Sequence, residues 1–451
     1  MKTLLIIPPF YRLLGGRNNW VNLGPAYIAA TLDKHGYEAN VYNSDQVDGG
    51  KDLNLREVFE GNQIYASIMK DDNHPLWKEI VDTVKGYDPD VVGMSINFTM
   101  IAKAAAKIAK LIKQWNKKLT IVAGGPHVTV APFDVLKDDN IDLIVRHEGE
   151  LAMLDLVSGK DINTIPGLSY KDIKGNLIQN KERALLENLD SLPFPRLDLQ
   201  LKKIANPENN FGVMAISRGC PFQCTFCASP SIWQKKVRYR SVRNVIKELK
   251  WRKEEYGIRK FYFSDDNFNL DKQGTIDLCR EMIRNKLDIE WICEAQVKTF
   301  TREVLEAMKD AGCKRLKLGI ESGNNRILKL MKKGTTKEEM RKVVRLIKEV
   351  GIDFTAYILI GMPTETKEEM LETYSFVEEL DPLYISLSVA SPQYGTELFK
   401  IMQEMKINFT KEDWLEHFHQ SYSTILNNEV DEAIINKFLS FNEEKGFARS
   451  I

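Results

Sequence analysis

The chain has 451 residues, with 63 Lys and Arg balanced by 63 Asp and Glu, so it is too long for one core and carries no charge excess to favour nucleic acid or an anionic membrane. Its 43% apolar content suits a globular fold, yet no apolar run approaches the ~20 residues of a membrane helix. The first run, Thr3–Ile7, ends in Pro8-Pro9 and is too short for a signal peptide, and six cysteines, three of them clustered, point to a reducing cytoplasm rather than a disulfide scaffold.

From the N-terminus, short apolar runs alternate with amphipathic stretches. Leu4–Ile7 reads as a strand, Leu23–His35 as a helix stopped by Gly36, and Ala39–Tyr42 as a second strand. Val91–Ile96 gives a third strand, Met100–Trp115 a helix, Leu119–Ala123 a fourth strand and Leu143–Val145 a fifth. Such alternation predicts a doubly wound, Rossmann- or flavodoxin-like parallel sheet over residues 1–158. Ligands of such sheets bind beyond the C-terminal strand ends. Here those ends carry Pro8–Asn22, Ser95–Phe98, Gly124–His127 and His147–Glu150.

These loops resemble those of cobalamin-binding domains. The resemblance rests on Pro8-Pro9-Phe10, Leu23-Gly24-Pro25, Ser95-Ile96-Asn97, Gly124-Gly125-Pro126-His127 and His147-Glu148-Gly149-Glu150. It implies cobalamin contacts from Pro9, Phe10, Ser95, Asn97, Gly124, Gly125, His127, Glu148 and Gly149. Paired glycines let backbone approach a bulky, flat ligand. The Asp-x-His-x-x-Gly element that supplies an axial histidine in some cobalamin proteins is missing after the first strand. His35 ends a helix, where capping is expected, and His127 reads as a loop contact, so cobalt is expected without a protein histidine. A flavodoxin-like domain that binds nothing, or only a partner, is the other reading.

Residues 159–210 form a linker with a hairpin around Lys174-Gly175-Asn176 and an extended Leu192-Pro193-Phe194-Pro195 connector. Then come Arg218-Gly219-Cys220-Pro221-Phe222-Gln223-Cys224-Thr225-Phe226-Cys227, directly after an apolar run at 213–217. Three thiols on one loop are metal or iron–sulfur ligands more readily than disulfide partners. A zinc knuckle needs a fourth ligand, and no histidine lies nearby. A cubane cluster held by Cys220, Cys224 and Cys227 would keep one iron open.

This Cys-x3-Cys-x2-Cys pattern resembles the signature of radical S-adenosylmethionine (SAM) enzymes. The resemblance covers about 210–400 and implies a [4Fe-4S] cluster whose open iron chelates SAM. The elements agree with its partial six-stranded barrel. Candidate strands are Val213–Ser217, Lys260–Phe263, Glu290–Cys293, Lys314–Gly319, Phe354–Ile360 and Tyr384–Val389, with helical stretches between them. The domain is placed at 211–400, followed by a helical C-terminal region at 401–451 carrying Phe409, Trp414, His417, Phe418, His419 and Tyr422.

SAM contacts are expected at the strand ends. Asp265 or Asp266 would accept hydrogen bonds from the SAM ammonium, with helix capping as the other reading. Glu294 is expected to face the barrel mouth. Gly319-Ile320-Glu321-Ser322-Gly323 resembles the family's ribose motif, giving Glu321 and Ser322. Gly361-Met362-Pro363-Thr364-Glu365 resembles its adenine segment, where Glu365 is either a contact or a helix N-terminal charge. Cys279 and Cys313 read as core residues, and Cys293 ends a strand.

The combined resemblance implies a monomeric, cytoplasmic cobalamin-dependent radical SAM enzyme fed by an external electron donor, flavodoxin or ferredoxin. One-electron cleavage of SAM would give a 5′-deoxyadenosyl radical, and cobalamin would deliver a methyl group to an unactivated carbon of a small molecule. Two alternatives stand beside methyl transfer: a radical cyclisation or ring rearrangement in which cobalamin carries electrons, and a cofactor-loaded sensor without turnover. Candidate SAM contacts on four strands disfavour the sensor.

Overall fold

In the computed structural model, residues 1–202, 211–407, 418–422 and 426–446 are described. They divide into two compact units, one from residues 1–52 and 61–202, the other from residues 53–60 and the described part after 211. Among the described residues no helix is long and apolar enough to cross a membrane. Phe409, Trp414 and His417 lie outside the described residues.

The first unit is built on a seven-stranded sheet ordered β2-β1-β3-β4-β5-β6-β7. Its strands are β1 Lys2–Ile7, β2 Glu38–Asn43, β3 Val91–Ser95, β4 Thr120–Gly124, β5 Leu143–Val145, β6 Leu168–Lys171 and β7 Leu177–Gln179. The first five pair in parallel, and the order reverses at β1, which lies between β2 and β3. β1 reads Leu-Leu-Ile-Ile with every one of these side chains buried, as a strand covered on both faces requires. The hairpin that the sequence places in the linker continues the sheet instead, with β6 antiparallel to β5 and β7 antiparallel to β6. Between β2 and β3 the chain forms helices Leu55–Glu60, Asn62–Lys70 and Pro75–Tyr87, a stretch the sequence reading leaves unassigned.

The second unit holds a six-stranded, all-parallel sheet ordered β15-β14-β13-β12-β11-β8. These are β8 Val213–Met214, β11 Lys260–Phe263, β12 Glu290–Ala295, β13 Cys313–Glu321, β14 Asp353–Ile360 and β15 Tyr384–Val389, joined by helices. The first barrel strand is shorter than expected. After β8 the chain bends, and β9 Ser217–Arg218 pairs antiparallel with β10 Arg238–Tyr239. Along β13, Leu316, Leu318 and Ile320 are fully buried while Arg315, Lys317 and Gly319 are partly open. The strand therefore packs apolar residues on one face and turns polar ones to the other. The edge strand β15 is covered by helix Glu432–Glu444, whose Asn442 donates to the Ile385 carbonyl and accepts its N–H, both at 2.9 Å. A free edge is thereby closed.

Candidate functional site

The cysteine loop leaves β8 along a backbone braced from the neighbouring strand. Asp265, just past β11, accepts the Ile216 N–H at 3.0 Å, the Ser217 N–H at 2.6 Å and the Ser217 hydroxyl at 2.5 Å. Its burial pushes the carboxyl up to about 6. Gly219 follows at φ +102, and a Cβ there would stand 2.0 Å from the Lys236 carbonyl oxygen, so no side chain fits. The loop turns through a Cys227 N–H to Cys224 carbonyl bond of 3.1 Å. It is stitched down where Thr225 donates to Met331 at 3.0 Å and accepts from Leu398 at 2.7 Å.

Cys220, Cys224 and Cys227 are free and partly open, whereas Cys279, Cys293 and Cys313 are free and buried. Burial, the largest cause, pushes the Cys220 thiol up to about 11 and Cys227 up to about 12, with neighbouring thiols adding to both. Cys224 is raised too. Such thiols keep their protons at neutrality until a bound cation replaces them. Among the described residues no three His, Cys, Asp or Glu side chains converge as one metal ion would require. Three thiols on one loop suit a cluster in which each would bind its own iron.

Of the two adjacent carboxylates, Asp265 braces Ile216 and Ser217, while Asp266 is more exposed and accepts the Ser229 hydroxyl at 3.2 Å and the Gly219 N–H, with burial raising its carboxyl. Ser229 also donates its N–H to Cys227 Sγ at 3.4 Å, so Asp266 is the carboxylate on the cysteine side. Glu294 lies on β12, where Oε1 accepts the hydroxyls of Tyr262 and Tyr357, the latter at 2.8 Å, with Lys317 Nζ at 3.8 Å. Burial first, and then Glu294, raises both phenols well above their ordinary value. Glu321 closes β13 in left-handed backbone, φ +64, and accepts Lys333 Nζ at 2.8 Å. Its charge also acts on Tyr357, which places Glu321 and Glu294 around one interior.

Two further candidates also hold loops together. Ser322 is fully buried, and its hydroxyl is 3.0 Å from that of Thr373. Glu365 is 1% exposed; it accepts the Met362 N–H at 2.9 Å, and burial pushes its carboxyl up to about 7. Tyr262, Lys317, Tyr357 and Lys333 went unnoticed in the sequence. For the first three a signal existed, the inward alternation of polar residues along predicted strands. For Lys333 there was none, because Lys332-Lys333-Gly334 reads as an ordinary helix exit.

In the first unit, Asp45 accepts the N–H groups of Phe10 and Arg12, each at 2.9 Å, and shapes the loop beyond β1. Pro9 is buried, and Phe10 is 3% exposed with its ring 4.8 Å from that of Phe98, so this ring is core rather than open surface. Ser95 donates to Asn97 at 3.0 Å and Asn97 to Asn22 at 3.3 Å, linking the end of β3 to the start of helix Leu23–Lys34. Ile96 donates to the Gly124 carbonyl at 2.8 Å and accepts from the His127 N–H at 3.1 Å, locking the β3 and β4 exits together. His127 is 4% exposed, its Nδ1 lies 3.3 Å from the Thr99 hydroxyl, and it lines a cavity of about 300 Å³ with Ile96, Ala102, Asp134, Val135 and Ile141. His35 donates to the Thr31 carbonyl at 2.8 Å, within its own helix end. Glu148 accepts the Leu186 N–H at 2.7 Å, and Gly149 packs against Ile28.

Residues 214–377 match the radical SAM superfamily, and residues 16–157 match the B12 binding domain. An uncharacterized methyltransferase of Pyrococcus horikoshii is 38% identical over 89% of this chain and 83% of its own length. An anaerobic magnesium-protoporphyrin IX monomethyl ester cyclase of Rubrivivax gelatinosus is 27% identical over 89% of this chain and 70% of its own. The fold matches the radical SAM methyltransferase TsrM from Kitasatospora setae at TM-score 0.71 and 19% identity, covering 91% of this chain and 79% of that one. Fold and cysteine loop thus define a radical SAM protein with an N-terminal B12-binding domain. The chain belongs to this cobalamin-binding group of the radical SAM superfamily.

Proposed function

We propose that the protein is a cobalamin-dependent radical SAM methyltransferase acting on an unactivated carbon of a small molecule. What supports this reading is the loop of three free thiols beside the six-stranded parallel sheet, together with the 38% identical relative named as a methyltransferase. When bound, the cluster and SAM supply one-electron chemistry, and cobalamin supplies the methyl group. Cys220, Cys224 and Cys227 would hold the cluster, and Asp266 would accept from the SAM ammonium. Glu321 and Glu294 would face the nucleoside from β13 and β12. Asp265, Ser322 and Glu365 would act behind them by fixing the loops. In the first unit Ser95, Asn97, Gly124, Gly125 and His127 would surround part of cobalamin, using the cavity beside His127. Pro9, Phe10, Glu148 and Gly149 would shape the neighbouring loops. Flavodoxin or ferredoxin would supply the electron, and the working form would be a monomer.

Glu321→Ala should keep iron and cobalamin yet bind SAM ten- to a hundredfold more weakly. A carboxylate accepting ribose hydroxyls is worth roughly 1.5–3 kcal/mol. Equilibrium dialysis with labelled SAM decides; unchanged affinity would move the ribose contact to Glu294.

A second reading, cyclisation or ring rearrangement, is favoured by the likeness to the Rubrivivax cyclase. Deuteromethyl-labelled SAM added to anaerobic extracts with and without the gene separates the two. Methyl transfer should give a product that carries three deuteria and forms only with the gene, and the purified protein with that substrate should then release equal S-adenosylhomocysteine and 5′-deoxyadenosine. Deoxyadenosine alone, with an unlabelled product, would establish the cyclase reading.

A further inference from the structure

Gly319, Glu321 and Lys333 share one patch of the barrel interior. A Cβ on Gly319 would stand 2.4 Å from Lys333 Nζ and 2.6 Å from Glu321 Oε1, so the ion pair lies directly on the glycine. Lys333 is 7% exposed, and its ammonium is 2.8 Å from Glu321 Oε1. Positive φ at Lys332 (+52) and Gly334 (+72) brackets the lysine in a tight turn. That turn is tied to the cysteine loop: Thr225, between Cys224 and Cys227, donates its N–H to Met331 at 3.0 Å and its hydroxyl to Leu330 at 3.4 Å. The ammonium interacts with the thiols of Cys224 and Cys227, and it counters the upward push of burial on Cys220 and Cys224.

We propose that Lys333 is a positioning residue with two roles: it fixes the Glu321 carboxylate over Gly319, and it sets a permanent positive charge beside Cys224 and Cys227 that favours the reduced cluster. This rests on the assignment of the three cysteines to a [4Fe-4S] cluster. One-electron reduction adds a negative charge there, and a buried cation stabilises that charge more than a solvated one would. Glu321 opposes the effect, so the cluster feels the difference between the two charges. Loss of the lysine leaves a net negative neighbour, and loss of the carboxylate leaves a net positive one. The two losses must therefore shift the reduction potential in opposite directions, which a merely structural role would not do.

The test is a redox titration of the anaerobically reconstituted full chain, with dithionite as one-electron reductant and electron paramagnetic resonance as readout. Lys333→Met should make reduction about tenfold less favourable, about 59 mV lower for a one-electron couple. Glu321→Gln should raise the potential, and Lys333→Arg should leave it near the original value. An unchanged potential in Lys333→Met, or shifts of the same sign in Lys333→Met and Glu321→Gln, would overturn the proposal. If Lys333→Met fails to hold iron, a rise in Glu321→Gln with none in Lys333→Arg supports it, and the absence of that rise refutes it. Wild-type protein that takes up no iron would refute the cluster assignment itself, separately from the lysine.

Discussion

Alanine at Cys220, Cys224 or Cys227 should yield a chain that folds but retains no cubane cluster, whereas alanine at Cys279, Cys293 or Cys313 should leave the cluster intact. Wild-type protein reconstituted without oxygen should hold about four irons and show thiolate-to-iron absorbance. On the proposed assignment each of the three thiolates would hold a separate iron, so the loss of any one would leave an iron without its protein ligand. The other cysteines are fully buried, Cys279 in a helix and Cys293 and Cys313 on β12 and β13. The side chains of Cys220, Cys224 and Cys227 are partly open, so truncating them leaves little cavity, and melting curves of iron-free mutant and iron-free wild type should nearly coincide. Iron analysis beside the melting curves separates ligand loss from unfolding. An equal need for any of the three buried cysteines would refute the assignment.

The cysteine loop was legible because its chemistry lies in ten consecutive residues. Barrel strands β11 and β15 were legible to the residue, since each is a short run of aromatic and β-branched residues, with apolar side chains buried at alternate positions, between polar turns. The bend after Met214 was not, because it depends on Asp265, about fifty positions later, accepting the N–H groups of Ile216 and Ser217. The same distance hides the difference between neighbouring carboxylates. Asp265 and Asp266 look alike in sequence, yet one is 2% exposed and braces Ile216 and Ser217, while the other is open and meets Gly219 and Ser229 on the cysteine loop. Ser322 and Glu365 stand out by motif, and the structure separates them: Thr373 engages the Ser322 hydroxyl, whereas Glu365 gives one oxygen to the Met362 N–H and keeps the other buried without a partner among the described residues. Motif spacing identifies a strand end; which polar side chain is left over for a ligand depends on partners that spacing does not reveal.

Gly125→Ala should abolish cobalamin retention, whereas Gly124→Ala next to it should be tolerated. Gly125 sits at φ +107, a conformation that side-chain-bearing residues rarely adopt, and costs of order 1–3 kcal/mol attach to it. Its Cβ would also stand 2.8, 3.1 and 3.2 Å from the O, C and N atoms of Ile96. These are backbone atoms and cannot rotate aside as a side-chain tip could. The same Ile96 donates to Gly124 and accepts from His127, so a methyl group at 125 must force the β3 and β4 exits apart and deform the cavity that Ile96 and His127 line. Each 1.4 kcal/mol misplaced at a binding loop is about tenfold in affinity, and strain and clash act together here. A Cβ on Gly124 meets only the Val145 carbonyl oxygen at 3.6 Å and Val145 Cβ at 3.9 Å, ordinary contacts on a strand with ordinary φ. Gel filtration of the reconstituted full chain, read by corrin absorbance, should therefore show cobalamin eluting with Gly124→Ala and separating from Gly125→Ala. Cobalamin retained by Gly125→Ala, or lost equally from both, would mean that the locked β3–β4 exit does not form the binding surface.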